Sequence, residues 1–190
     1  EPLGRLPGVH GLSGVLDADQ DSGRLDLVGG EGAILLPELF RGPLPFQRLE
    51  TQLAWQREPE GWRVEAPSLR LDNEDGALLG RLRLFTDATG DPFLDLRAHL
   101  SGGGGANAGR YFPAAIMPEP LVRWLDEAIR GGRVAGADFV MFGRAHHFPY
   151  ADDSQGVFDV QARLNGGQLA YLRGWPALDD IAATLRFHGD

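Results

Sequence analysis

Asp17, Asp19 and Asp21, followed by Ser22 and Gly23, have the alternate-carboxylate spacing that opens a calcium-binding loop. Such a loop needs Gly at its sixth position and a bidentate Glu at its twelfth. This chain has Ser22 and Val28 there, so the run is read as a polar hairpin turn. His146 and His147, with Asp152 and Asp153 close behind, offer metal-type donors. Neighbours in an extended chain point to opposite faces, which keeps adjacent imidazoles off a single ion unless the chain turns. A surface loop without metal is expected. Gly11-Leu12-Ser13-Gly14 lacks the Gly-x-Ser-x-Gly spacing of a nucleophile elbow and its strand-to-helix turn. The glycine run 102–105 has no Lys and does not lead from a strand into a helix start, as a phosphate cradle does. No spacing among the 27 Asp and Glu singles out an acid–base pair. These residues offer no catalytic centre, so neither an enzyme activity nor a cofactor is expected.

The composition narrows the partners. The chain has 190 residues, no Cys, and 18 basic against 27 acidic side chains, for a net charge of −9. Without Cys there is no disulfide scaffold, thiolate zinc site or cysteine nucleophile. The negative balance argues against nucleic acid and against direct attraction to an anionic membrane surface, both of which need positive potential. Every basic residue is Arg, a planar fork suited to carboxylate or phosphate. No stretch approaches the roughly 18 apolar residues of a membrane-spanning helix. The chain opens at Glu1 without Met and ends on a strand-like pattern over 185–190, so it reads as a piece of something longer.

Period-two alternation is the dominant pattern, and it is the signature of strands with one apolar face. Leu25 and Leu27 alternate with Arg24 and Asp26. Leu49, Leu53 and Trp55 do so with Glu50, Gln52 and Ala54, and Trp62, Val64 and Ala66 with Arg63 and Glu65. Leu69 and Leu71, Leu82 and Leu84, Leu94 and Leu96, and then Phe158, Val160, Ala162 and Leu164 continue the series. Turn chemistry joins them at 19–23, 58–61, 73–76, 87–90 and, most clearly, Asn165-Gly166. A spacing shared by Val9/Leu12/Leu16, Phe46/Leu49/Leu53 and Leu178/Ile181/Leu185 hints at repeated strand modules.

One segment departs from alternation. Over 118–130 the apolar residues Leu121, Trp124, Leu125, Ala128 and Ile129 fall on one helical face, with Pro at the start and Gly131-Gly132 past the end. Its one-sided pattern predicts docking on the sheet through Leu121, Trp124, Leu125 and Ile129. The expected organisation is a first β block over 1–101, a Gly-rich linker with a helical insert over 102–132, and a second β block over 133–190, all in one continuous repeat-type domain. One short helix covers two or three strands at most. The remaining apolar faces must either meet a second sheet as a β-sandwich or line an open groove with a ligand in it. Periodicity does not choose between the two.

The run from Arg110 to Val134, with Tyr111-Phe112-Pro113, Met117-Pro118, Trp124-Leu125-Asp126 and Gly132-Arg133-Val134 in order, resembles the central region of the AsmA-like YhdP family of large envelope proteins. Flanking segments at 6–14 and 174–181 agree with it. The resemblance implies a mainly β fold: an antiparallel meander curled into an open groove, with one short amphipathic helical insert. It further implies an internal segment of a periplasmic conduit for phospholipid, anchored in the inner membrane by regions absent from this chain and leading toward the outer membrane. Its partners would then be phospholipid acyl chains and the remaining segments of the same longer protein. On this reading the groove is lined by Leu53, Trp55, Trp62, Val64, Leu69, Leu71, Leu82, Leu84, Leu94, Leu96, Phe158, Val160 and Leu164. A structural or protein-binding β-sandwich of the envelope is the competing reading.

Overall fold

Strands β1 (Gly8–Ala18), β2 (Ser22–Leu35), β3 (Leu44–Phe46), β4 (Arg48–Glu58), β5 (Gly61–Asn73), β6 (Gly76–Thr86), β7 (Pro92–Ser101), β8 (Ile129–Arg144), β9 (Gly156–Leu169) and β10 (Leu178–His188) carry the alternating segments. They come from a computed structural model that describes residues 8–88, 90–115, 117–148, 150, 152, 154–172 and 174–189. Consecutive strands lie side by side in a single antiparallel sheet, in the order β1-β2-β4-β5-β6-β7-β8-β9-β10, and β3 pairs with β2 off this path. The outermost strands β1 and β10 do not pair with each other, so the sheet is open. No second sheet faces it among the described residues, which removes the sandwich alternative.

The turns form for identifiable local reasons. Asp19 Oδ1 accepts the N–H groups of Asp21 (2.8 Å) and Ser22 (2.7 Å), an Asx turn between β1 and β2 and not a cation loop. Asn73 Oδ1 likewise accepts from Asp75 (2.9 Å) and Gly76 (3.1 Å) between β5 and β6. Asn165-Gly166 differs from the expected hairpin turn: β9 runs straight through it, and Gly166, at φ 58°, forms a bulge beside the register shifts toward β8 and β10. A left-handed residue serves a one-residue bulge as readily as a tight turn, so the same dipeptide fits both.

The insert between β7 and β8 is more tightly tied than a linker. The Val134 N–H donates to the Gly103 carbonyl at 2.9 Å, and Gly104 pairs with Arg133. A 3-10 helix occupies Gly105–Tyr111, followed by helix α1 (Glu119–Ala128). The expected helix over 118–130 therefore stops earlier. Ile129 already belongs to β8, and Gly131 and Gly132 lie inside that strand at its bulges, not past a helix end.

Little of this chain is buried. Among the described hydrophobic residues only Ala33, Phe46, Leu49, Ala66, Val122, Ala128 and Tyr150 are buried. The chain exposes 12139 Å² at a mass of 20.6 kDa. A compact globule of that mass exposes about 8,900 Å² by the usual area–mass scaling. Among the described residues, one layer of sheet leaves an apolar face with no second layer folded onto it.

Candidate functional site

The antiparallel register places directly opposed residues on the same side of the sheet, and following these pairs from strand to strand gives continuous apolar rows. One row runs Ala66, Leu82, Leu96, Met141, Phe158 across β5 to β9. A second runs Trp55, Val64, Leu84, Leu94 from β4 to β7. A third runs Leu49, Leu71, Leu78, Leu100, Ala137, Ala162, Leu185 from β4 to β10. Leu69, Gly80, Ala98, Phe139, Val160 and Phe187 form a fourth. A bulge of β5 at Pro67 and Ser68 keeps Leu69 and Val64 on the same side despite their odd separation.

All thirteen residues expected along a groove stand on this face. Leu53 lies opposite Leu25, Trp62 opposite Arg57, and Leu164 opposite Val134 and Ala183. All are half-buried except Trp62, which is exposed and carries the Arg57 guanidinium 5.9 Å from its ring centroid. The sequence reading missed Phe139 and Met141. They sit in Phe139-Val140-Met141-Phe142, an unbroken apolar run that hides the alternation, because Val140 and Phe142 occupy the other face.

Beside these apolar residues, that other face carries ion pairs. Arg83 lies 3.8 Å from Glu65, Arg97 3.5 Å from Asp95, and His99 Nδ1 2.7 Å from Asp138. Arg186 hydrogen-bonds Asp159 through both of its forks, at 2.9 and 3.1 Å, which holds the Asp159 carboxyl below the usual range. Exposed pairs of this kind contribute little stability each. Their consequence is the sidedness of the sheet.

The 105–128 insert lies along one end of the strands as a strap. Its first anchor is Asp75 in the β5–β6 turn, whose carboxylate accepts from Asn107 Nδ2 (2.6 Å), Tyr111 OH (2.6 Å) and Arg110 (3.3 Å). Desolvation pushes this carboxyl up, but the hydrogen bonds from Tyr111 and Asn107 and the charge of Arg110 outweigh it and leave its pKa lowered. The second anchor is the bidentate pair of Arg41 with Asp126, at 2.7 and 3.0 Å. The third is the far end of α1, where the Ala170 N–H donates to the Ala128 carbonyl at 2.8 Å.

The docking residues differ from those expected. Val122 and the fully buried Ala128 carry the inner side of α1, while Leu121 and Trp124 are 43% and 44% exposed. Leu125 is half-buried, and Ile129 packs as a strand residue opposite Leu169. A helical wheel does not distinguish these, because burial here follows from which residues the strap's anchors hold against the sheet end, not from apolar size. The Trp124 indole N–H instead donates to the Tyr171 carbonyl at 3.0 Å.

The candidate metal donors are committed elsewhere. A 3-10 turn at Ala145–His147 brings the His146 and His147 rings to 3.8 Å, and His146 Nδ1 lies 2.7 Å from Asp91. Asp152 accepts from the Ser154 N–H, and Asp153 lies outside the described residues, as do Leu6 and Pro7 of the first flanking segment. Among the described residues, no group of three or more His, Asp or Glu is placed to hold a metal ion.

A single open antiparallel sheet, with continuous apolar rows on one face and ion pairs on the other, defines an open-faced β protein whose prominent feature is a surface and not a pocket. The profile described as YhdP protein matches residues 1–190, and the chain belongs to the YhdP family. It is 29% identical over 185 residues to the intermembrane phospholipid transporter YhdP of Escherichia coli (strain K12), an alignment covering 97% of this chain and 14% of that protein. The chain therefore spans about one-seventh of that relative's length. No solved structure matches it.

Proposed function

We propose that this chain is a non-catalytic segment of a lipid conduit in the periplasm, in which phospholipid acyl chains lie against the apolar face while passing between inner and outer membranes. The observation that carries the reading is the set of continuous apolar rows over which no second layer folds among the described residues. An acyl methylene gains at most about 0.8 kcal/mol relative to water, in proportion to how far this face buries it. Nine strands in sequence, at about 4.8 Å each, make a lane of roughly 40 Å. The phospholipid transporter in the same family supports the choice of cargo. Among the described residues no helix is long and apolar enough to cross a membrane, so anchoring is assigned to other parts of a longer protein. The test is mass spectrometry of organic extracts of the purified chain. Phospholipid co-purifying in near-stoichiometric amount supports the conduit. A lipid-free chain that also takes up no added phospholipid points instead to a structural or protein-binding module.

A further inference from the structure

The apolar face is not equally wide at every strand. Over β6 and β7 it carries four rows, from Leu84 and Leu94 toward one end of the strands to Leu78 and Leu100 toward the other. The first of these rows continues by register from Leu94 to Gly143 and Gly156, where it has no side chains of its own. Tyr150, only 1% exposed, fills the vacancy. A Cβ added at either glycine would lie 2.7 Å from its ring, so glycine at both positions is what admits it. Phe148 meets the Tyr150 ring edge to face at 6.1 Å and the Phe158 ring at 5.1 Å, and Phe158 meets Phe139 at 5.6 Å. Phe158 and Phe139 stand on the apolar face, so Phe148 and Tyr150 fold onto that face and end it in an aromatic wall over β8 and β9.

The wall is tied at its root. Arg144 Nη1 pairs with Asp87 at 2.7 Å and Asp91 at 3.2 Å, and His146 Nδ1 lies 2.7 Å from Asp91, which joins it to the β6–β7 turn. The Tyr150 N–H donates to the His147 carbonyl at 2.7 Å. Tyr150 is nonetheless held at φ 65°, a left-handed conformation in a residue other than glycine, and its hydroxyl is buried without a hydrogen-bond partner among the described residues. Both features are unfavourable locally, and such outliers gather where a particular shape serves function.

The shape changes the width of the floor. Over β8 and β9 three rows stay open, those of Met141 and Phe158, Phe139 and Val160, and Ala137 and Ala162. The lost row is about 7 Å of floor. A hydrocarbon chain, with about 4 Å between carbons in contact, needs less than that. With the Tyr150 hydroxyl buried, the wall presents ring carbon. A peptide backbone finds no hydrogen-bond partner against ring carbon, and hydrocarbon needs none.

We infer that the Phe148–Tyr150 wall is a width restriction in the lane, one that favours two-chain phospholipids over lipids with more acyl chains, and that Tyr150 is the residue that sets it. This rests on the conduit reading, and it adds which lipids the lane selects.

The test is photocrosslinking of the purified chain with a benzophenone amino acid at Leu82, on the wide floor, or at Val160, on the narrowed one. The probe is vesicles of equal parts phosphatidylglycerol and cardiolipin with the same acyl chains. The two lipids share glycerol-phosphate chemistry and differ in carrying two chains or four. Mass spectrometry reads the ratio of cardiolipin to phosphatidylglycerol adducts at each position. The ratio at Val160 should be at least about threefold below that at Leu82. Tyr150→Ala or Phe148→Ala should raise it to the Leu82 value while phosphatidylglycerol adducts persist. Equal ratios in wild type, or a Val160 ratio that a folded variant leaves unchanged, overturn the restriction and leave the conduit standing. Adducts at neither position overturn both. If Tyr150→Ala does not fold, Phe148→Ala, which removes a half-buried ring outside the strands, carries the comparison.

Discussion

The carboxylate of Asp75, in the turn between β5 and β6, accepts a 2.6 Å hydrogen bond from the Tyr111 hydroxyl, thirty-six residues further along the chain. With Asn107 and Arg110 on the same carboxylate, this contact fastens the strap to the middle of the sheet end. The Asp75 side chain is only 8% exposed, so removing it strands three donors. Asp75→Ala is expected to cost about 2 kcal/mol or more. Tryptic cleavage after Arg110 and Arg123 should then quicken while the strands stay protected. Unchanged cleavage would show that the strap is held elsewhere.

The same carboxylate gives a pH dependence with a definite sign. Its pKa in the folded chain is below the ordinary 3.8, so its contribution is present above that value and is lost as pH falls through the folded value. Wild type should lose strap protection below about pH 4, and in Asp75→Asn the protection of the strap amides should no longer change in that range. Hydrogen exchange of the 105–128 amides across the titration is the check.

The packing of α1 predicts an order of sensitivity that its helical pattern alone reverses. Ala128 has no exposed surface, and its neighbours leave no space for growth, so Ala128→Leu should cost about 1–3 kcal/mol by overpacking. Trp124→Ala removes a half-exposed ring and one hydrogen bond, and should cost about 1 kcal/mol, well short of a buried Trp. Chemical denaturation midpoints of the two variants compare them directly.

Calcium and zinc should leave the melting temperature unchanged. Asp19 already accepts backbone N–H groups across its turn, and His146 is bonded to Asp91. A rise of several degrees with either ion would identify a site these contacts conceal.

Leu82 and Leu96 pair in the centre of the apolar rows between Ala66 and Met141, half-buried on a face that no second sheet covers among the described residues. Leu82→Asp or Leu96→Asp should therefore leave a folded chain, at a cost of about 1–2 kcal/mol. In a packed core the same carboxylate is buried unpaired and unfolds the domain. Circular dichroism and lipid uptake measured together separate the outcomes. Retained strand signal with lost uptake is expected, and global unfolding would mean that something covers this face.

The strands were legible because each has one apolar face and a turn with a physical mechanism at its end, as at Asp19 and Asn73. The thirteen expected lining residues share a face for the same reason. Where local chemistry serves two geometries the reading fails. Gly166 supports a bulge as well as a turn, and Gly131-Gly132 serve a distorted strand as well as a helix stop. The run Phe139-Val140-Met141-Phe142 gave no period because both faces of β8 are apolar there. Val122 and Ala128 were passed over in favour of Trp124, because size predicts burial only where a layer exists to bury it.

Photocrosslinking in intact cells tests the central claim most directly. A benzophenone amino acid is placed in the full-length protein at Leu82, Leu96 or Phe158 on the apolar face, and at Arg83, Arg97 or Asp159 on the charged face of the same strands. The conduit predicts phospholipid adducts at the first three positions and none at the second three. Adducts at neither set, or equally at both, would contradict it.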